Sequence, residues 1–436
     1  MISLFDFENR EGIFDIHREY KFSILTAGKK QSEPRVVHAG FWLHRIDHLL
    51  DPNRIYTLQT SDFSLLNPNT KTCPVFRTSK DAELTTKIYR RSKILLNDST
   101  NDNPWGVRFS RHFDMSNDSH YFKTFNQLSQ LGGVLNENRF VLPDGRVYVP
   151  LYEGKMIWLY NHHYGSWPTD GERPNAIDLP TIEHLADSND VIMPWFWVPI
   201  QEVINRFVKT NNENTVTWEW KHNWLLGFRD ITTATTERTF IVAFMPREVG
   251  VGNTTTLLYA EGGVANTLLL ATLSSLVFDY VAKQKCGRLH MSAFIVKQLP
   301  VLTLDQIPSG YQWAILKRAV ELCYFNHDLD GWAQELFGEL TEHQQCALPQ
   351  LGKKQPFTYN PERRALLQAE IDAIIGHLYG LNTEDMRYIL DPEDVCGPGC
   401  INETFRVLKD NEIRQYGEYR TKRLVMDAWY RFGYDK

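Results

Sequence analysis

The sequence predicts a mixed α+β protein: a β-rich portion, one long buried helix, and a helical carboxy-terminal region. Three observations carry this. Short apolar and aromatic runs bounded by Gly, Pro, Asn and Asp recur up to Tyr259, as strands separated by turns do. Val264–Ala282 is an apolar run of helix length, and beyond Leu302 apolar residues recur at three- and four-residue spacing.

A chain of 436 residues holds about two or three domains and buries a large core. Its net charge of −6 and pI near 6.2 give no global basic signature, although a local basic groove can coexist with an acidic exterior. Cys73, Cys286, Cys323, Cys346, Cys396 and Cys400 are too sparse for a disulfide scaffold, and no signal peptide precedes them. Reduced thiols and a cytoplasmic location are expected. The run Val264–Ala282 is interrupted by Asn266, Thr267, Thr272, Ser274, Ser275 and Asp279, which makes it a core helix rather than a membrane span.

LFDFENREGIFDI and YKFSILTAG read as two strands around a turn at Glu8–Gly12, with Tyr20, Phe22 and Ile24 on one face. VVHAGFWL and IYTLQT form a second pair. Ser79 is positioned to cap a helix with Asp81 and Glu83 in its first turn and Lys87, Arg90 and Arg91 in its last. That basic end suits either phosphates or solvent. Asn103–Phe122 mixes polar, basic and aromatic residues without periodicity, as a functional loop does.

Pro143–Gly145 marks a turn between two strands. Asp144, Glu153 and Lys155 fit the PD…ExK spacing of Mg²⁺-dependent nucleases, whose chemistry needs two carboxylates on the metal and a lysine near the attacking water. Asp144 is better explained as the turn residue of P-D-G, and a pattern this short arises by chance. His162 and His163 are expected to point apart on a strand, with no companions at zinc spacing, and so to be structural or surface residues. MPWFWVPIQEVINRFVK gives an aromatic strand and a helix at Pro199–Val208.

Thr239–Phe244 reads as a buried strand, preceded by Arg229 and Thr236-Glu237-Arg238. Gly250–Asn253 reads as a hairpin turn, since no Lys-Ser/Thr follows to make a phosphate loop. The long helix should be capped by Asn266 or Thr267, bury Leu269, Leu273, Leu276 and Tyr280, and stop at Lys283–Lys285 before Gly287. A strand is expected at Ala293–Leu299, ended by Pro300. A helix starts near Tyr311, and another runs from Pro361 to just before Gly380 with Leu366, Leu367, Ile371, Ile374, Ile375 and Leu378 inside. Cys396 and Cys400 sit in a loop and do not make a zinc site.

ANTLLLATLSSLVFDYVAKQK, Gly287 and FIVKQLPVL resemble the half-repeat of target-recognition domains in restriction–modification specificity proteins. The blocks LLNPNTKTCPVFR, PLYEGKMI, "R-x-I…E-R-T-x-I" and GEYRTKR extend the likeness to the specificity region of fused type II adenine-N6 DNA methyltransferases, including those of DISARM-type phage defence. The resemblance implies terminal strands of a methyltransferase domain at 1–60, a DNA target-recognition domain at 61–310, and a helical region at 311–436. The first hairpin reads equally as an ordinary edge hairpin.

The family's cofactor loop (F-x-G-x-G) and N/D-P-P-Y/F loop have no counterpart: Asn67-Pro68, Asn103-Pro104 and Asn360-Pro361 are not followed by Pro and an aromatic. The resemblance therefore implies that S-adenosylmethionine and the catalytic groups belong to a separate methyltransferase domain or subunit. This chain would bind duplex DNA, with Lys155, Arg229, Arg238, Lys285, Arg288 and Lys297 as contacts, because they are cations at turns beside the recognised blocks. The alternatives are a nuclease using Asp144, Glu153 and Lys155, or a non-catalytic remnant or regulatory DNA-binding subunit.

Overall fold

The computed structural model describes residues 1–28, 36–287, 289–401 and 404–433. It is a mixed α+β structure of several small sheets followed by a helical carboxy-terminal region. Strands β1 (Ser3–Glu8), β2 (Lys21–Thr26), β3 (Val36–Leu43) and β4 (Tyr56–Gln59) form one sheet in the order β2-β1-β3-β4, with β1 parallel to β3. On the edge strand β2, Ile24 and Leu25 remain exposed.

Two further sheets build the middle of the chain. One pairs Trp197–Pro199, Val147–Tyr152, Arg139–Val141 and Val134–Asn136 in that order. Gly250–Val251 joins Val147–Tyr152 in parallel, so only Gly252 and Asn253 remain of the expected hairpin turn. The other runs Val242–Pro246, Trp224–Arg229, Thr255–Tyr259, Arg108–Ser110, all antiparallel. The expected strand at Thr239–Phe244 starts at Val242, because the N–H groups of Thr239 and Phe240 donate to the Asp279 carboxylate instead of to a neighbouring strand.

The expected long helix is two helices, Gly263–Ser274 and Leu276–Lys285, bent by 61°. Ser275 is extended (φ −69°, ψ 153°), and its hydroxyl accepts from Phe278 N at 3.2 Å. The Leu276 N–H, left without a helical partner, donates to Asp372 Oδ1 at 2.7 Å. Neither Asn266 nor Thr267 caps the first helix. The chain enters through Gly262 at φ +82°, and the Glu339 carboxylate accepts from Gly263 N (2.5 Å) and Val264 N (2.9 Å). Among the described residues no single helix is long and apolar enough to cross a membrane. The bent pair passes that test only jointly and is almost wholly buried in protein.

Other local expectations shift by small amounts. Thr78, not Ser79, caps Ser79–Arg91 through a reciprocal box with Asp81. Ala293–Val296 is one helical turn, not a strand, and leaves Phe294 exposed. Pro300 begins rather than ends a short strand, Pro300–Val301, paired with Lys93–Ile94; a first strand position needs no N–H there. In the helical region, Ser309–Cys323 and Pro361–Leu378 stand as expected, except that Leu366 faces outward.

Candidate nucleic-acid interface

Four of the six candidate cations are tied to the protein itself. Arg229 donates from Nε to Gly154 O (2.8 Å) and from Nη2 to Ile157 O (2.7 Å), with Trp158 beneath it, and burial pulls its pKa down to about 10. Arg238 is buried against Asp279 at 2.8 Å. Lys285 donates to Leu66 O (2.5 Å) and to Asn67 Oδ1 and lies over Tyr89; burial lowers its pKa to about 7. A lysine so desolvated is a poor permanent charge for phosphate. Lys297 is paired with Asp98 at 2.9 Å.

Lys155 is exposed, donating to Asn175 O at 2.8 Å. Arg288 lies outside the described residues. These cations do not form one cluster. Arg229 braces the loop after Val147–Tyr152 that carries Lys155, Lys285 and Gln298 bond the segment Leu66–Thr70, and Lys297 pairs with Asp98.

What does converge is the loop at Gly154 with the segments around Asp230, Asn253–Thr254, His290–Met291 and Arg111–Asp114. Gly154 N donates to Thr254 Oγ1 at 2.8 Å, and a Cβ at Gly154 would stand 2.8 Å from the Thr254 carbonyl, so only glycine permits that approach. Asp230 N donates to Thr254 O (2.9 Å), and Met291 N donates to Asp230 O (2.7 Å). The Asp230 side chain accepts from Arg111 Nη2 at 3.1 Å and lies 3.3 Å from His290 Nδ1. Asn253 Nδ2 donates to Asp114 Oδ2 at 3.1 Å.

The result is a ridge where Arg111, Ile231, Leu289 and His290 are exposed, beside a buried carboxylate that holds the arginine. Asp230 Oδ1 is buried with no hydrogen-bond partner. Sequence reasoning did not select Arg111, Asp230, Asn253 or His290. The signal was present in the unassigned block Asn103–Phe122, whose Arg111 and Asp114 supply the contacts, but its partners lie more than a hundred residues away.

The nuclease arrangement is not formed. Asp144 sits in the turn before Val147–Tyr152 and is paired with Arg146 at 2.7 Å; Glu153 follows the far end of that strand. Six extended residues separate the carboxylates by roughly 20 Å, far beyond a shared metal. Glu153 is buried against Arg173 at 2.5 Å; burial raises its pKa although Arg173 opposes the shift.

The histidine pair also departs from expectation. His162 and His163 lie in a loop, not on a strand, after Tyr160 turns the chain at φ +58°. Their rings converge at 4.4 Å between centroids, and Asp328 joins them, 2.9 Å from His163 Nε2.

No family model and no curated protein matches the chain. Among solved structures, it is similar to the type IIL restriction–modification enzyme MmeI in complex with DNA, with TM-score 0.35 and 12% identity over 87% of this chain and 43% of that one. It is also similar to the type IIG restriction endonuclease BpuSI, with TM-score 0.30 and 10% identity over the same shares, 87% and 43%. The chain therefore spans less than half the length of either structure.

Proposed function

We propose that this chain is the DNA-recognition portion of a site-specific adenine-N6 DNA methyltransferase of a restriction–modification or DISARM-like phage-defence system. The observation that carries the reading is the convergence of the blocks around Arg111, Gly154, Asp230, Thr254 and His290 on one exposed ridge. An arginine held by a buried carboxylate presents its fork in a fixed direction, which suits bidentate contact with guanine or phosphate. Arg111, His290 and Lys155 are the contacts in this reading. Arg229 shapes the loop that carries Lys155, and Arg238, Lys285 and Lys297 tie other segments of the fold together.

The segments 1–60, 61–310 and 311–436 take the roles of methyltransferase-domain strands, target recognition and helical support. A separate catalytic domain or subunit supplies S-adenosylmethionine and the N/D-P-P-Y/F loop that receives the flipped adenine. The exposed apolar side chains of β2 are where we place its contact.

Fluorescence anisotropy with a random duplex pool, over a salt series, tests the reading on the chain alone and with a catalytic partner. Salt-dependent affinity and enrichment of one sequence are expected. No salt-sensitive affinity in either state overturns it.

A further inference from the structure

We propose that His162, His163 and Asp328 form a binding site for one divalent transition-metal ion, with Zn²⁺ the natural occupant. The donor atoms of the three residues all lie within 4.8 Å of one another. Two imidazoles and one carboxylate, with a fourth position left to water, are a recognised donor set for Zn²⁺. Ligands about 2.1 Å from a tetrahedral ion stand about 3.4 Å apart, so the His163–Asp328 pair, now 2.9 Å apart, would open slightly to admit the ion while the His162 nitrogen closes on it.

The strongest sign of a missing ligand is His162. The residue is 1% exposed, and its Nε2 has no hydrogen-bond partner. A buried imidazole nitrogen left unpaired costs free energy that a metal bond would recover. The neighbouring groups are already fixed. Asn161 Oδ1 accepts from His163 N at 2.7 Å, and Arg364 Nη2 donates to Tyr160 O at 3.2 Å. Asn326, itself buried, accepts from Asp328 N at 2.8 Å and donates to Asp190 O at 2.8 Å. Phe325 packs against both rings and walls the site.

Asp328 is the way in, because its side chain is 27% exposed while His163 is 1% exposed. It is also the one anionic ligand, and the buried Arg364 lies over Phe325 on the same side of the protein core. Charge balance therefore depends on Asp328. A bound ion would fasten the loop after Trp158 to the turn His327–Leu329, joining the β-rich part to the helical region.

The test uses the full chain, stripped with chelator and desalted. One equivalent of Zn²⁺ retained, a rise in Tm on adding it, and visible absorption of a low-coordinate Co²⁺ form are expected. His162→Ala should abolish retention while the circular dichroism of the folded protein is unchanged. Asp328→Asn, at a partly exposed position that tolerates change, should weaken binding by more than the roughly 10–100-fold typical of losing an outer-shell partner. His343→Ala, at an exposed histidine on another helix, should leave zinc retention unchanged. Absence of stoichiometric binding in the parent chain overturns the proposal, as does binding that persists in folded Asp328→Asn or His162→Ala. The three residues are then a hydrogen-bonded core cluster only.

Discussion

Arg238 and Asp279 form a buried ion pair, Nε to Oδ2 2.8 Å, at the point where the second central helix meets the middle sheet. Asp279 is fully buried and also accepts from the backbone N–H groups of Thr239 and Phe240, at 3.0 and 2.6 Å. Arg238 adds a bond to Ser274 O at 2.5 Å, the last residue before the helix break. The pair therefore closes three elements onto one charge.

Breaking that pair should destabilise unevenly. Arg238→Ala leaves Asp279 with two backbone donors, whereas Asp279→Ala leaves a buried guanidinium with only the Ser274 carbonyl and no counter-ion, and two buried N–H groups without an acceptor. Removing one member of a buried pair costs about 3–5 kcal/mol, and Asp279→Ala should sit at or above that range with Arg238→Ala below it. Urea denaturation of both variants measures the difference; equal losses would refute the asymmetry.

Asp372 should make stability fall as pH rises. Burial raises its pKa from 3.8 to about 7, with Arg238 and the Leu276 N–H opposing the shift. The folded state thus holds a proton that the unfolded chain releases near pH 4, so stability declines between about pH 4 and 7 and levels off above. Asp372→Asn keeps an oxygen for Leu276 and removes the titration. It should be more stable than the parent at pH 8, by at most about 4 kcal/mol, with little difference at pH 4. Unfolding curves at the two pH values check this.

Features set by neighbours in sequence were legible, and features set by remote partners were not. Pro361 and Gly380 bracket a helix because φ and αL preferences act locally. The apolar run Val264–Ala282 was recognisable as core, but its break at Ser275 rests on Asp372, 96 residues from Leu276. Its start rests on Glu339, 76 residues from Gly263. Ala293–Leu299 was ambiguous because a short apolar run fits a strand or a helical turn equally. At the candidate interface, a cation beside a turn looks the same whether it faces solvent or, like Arg229, spans two carbonyls of a loop. Strand alternation would send His162 and His163 apart, and Asp328 lies 165 residues beyond His163, so the cluster has no local signal.

Glu339 should act on the first central helix from outside it. Glu339→Ala leaves the Gly263 and Val264 N–H groups without an acceptor next to the positive helix end, and Glu339→Gln keeps an oxygen but loses the charge. Loss of a side-chain cap costs about 0.5–2 kcal/mol. Glu339→Ala is expected near the top of that range and Glu339→Gln near the bottom, read from the urea midpoint.

Arg111 and Lys155 should affect DNA binding in different ways. Arg111 is aimed by Asp230, so its loss should remove about 1–3 kcal/mol of discrimination at one base position, and Arg111→Lys, without the planar fork, should not restore it. Asp230→Asn should mimic that relaxation partly, since the arginine loses its anchor while remaining present. Lys155 is an exposed point charge bonded to one carbonyl and lying over Trp167, so Lys155→Ala should weaken every duplex alike and lower the salt slope by about 1. Anisotropy titrations against the selected site, its single-base variants and a salt series separate the two behaviours. If Arg111→Ala weakens all duplexes equally and leaves the base preference intact, the ridge does not read sequence.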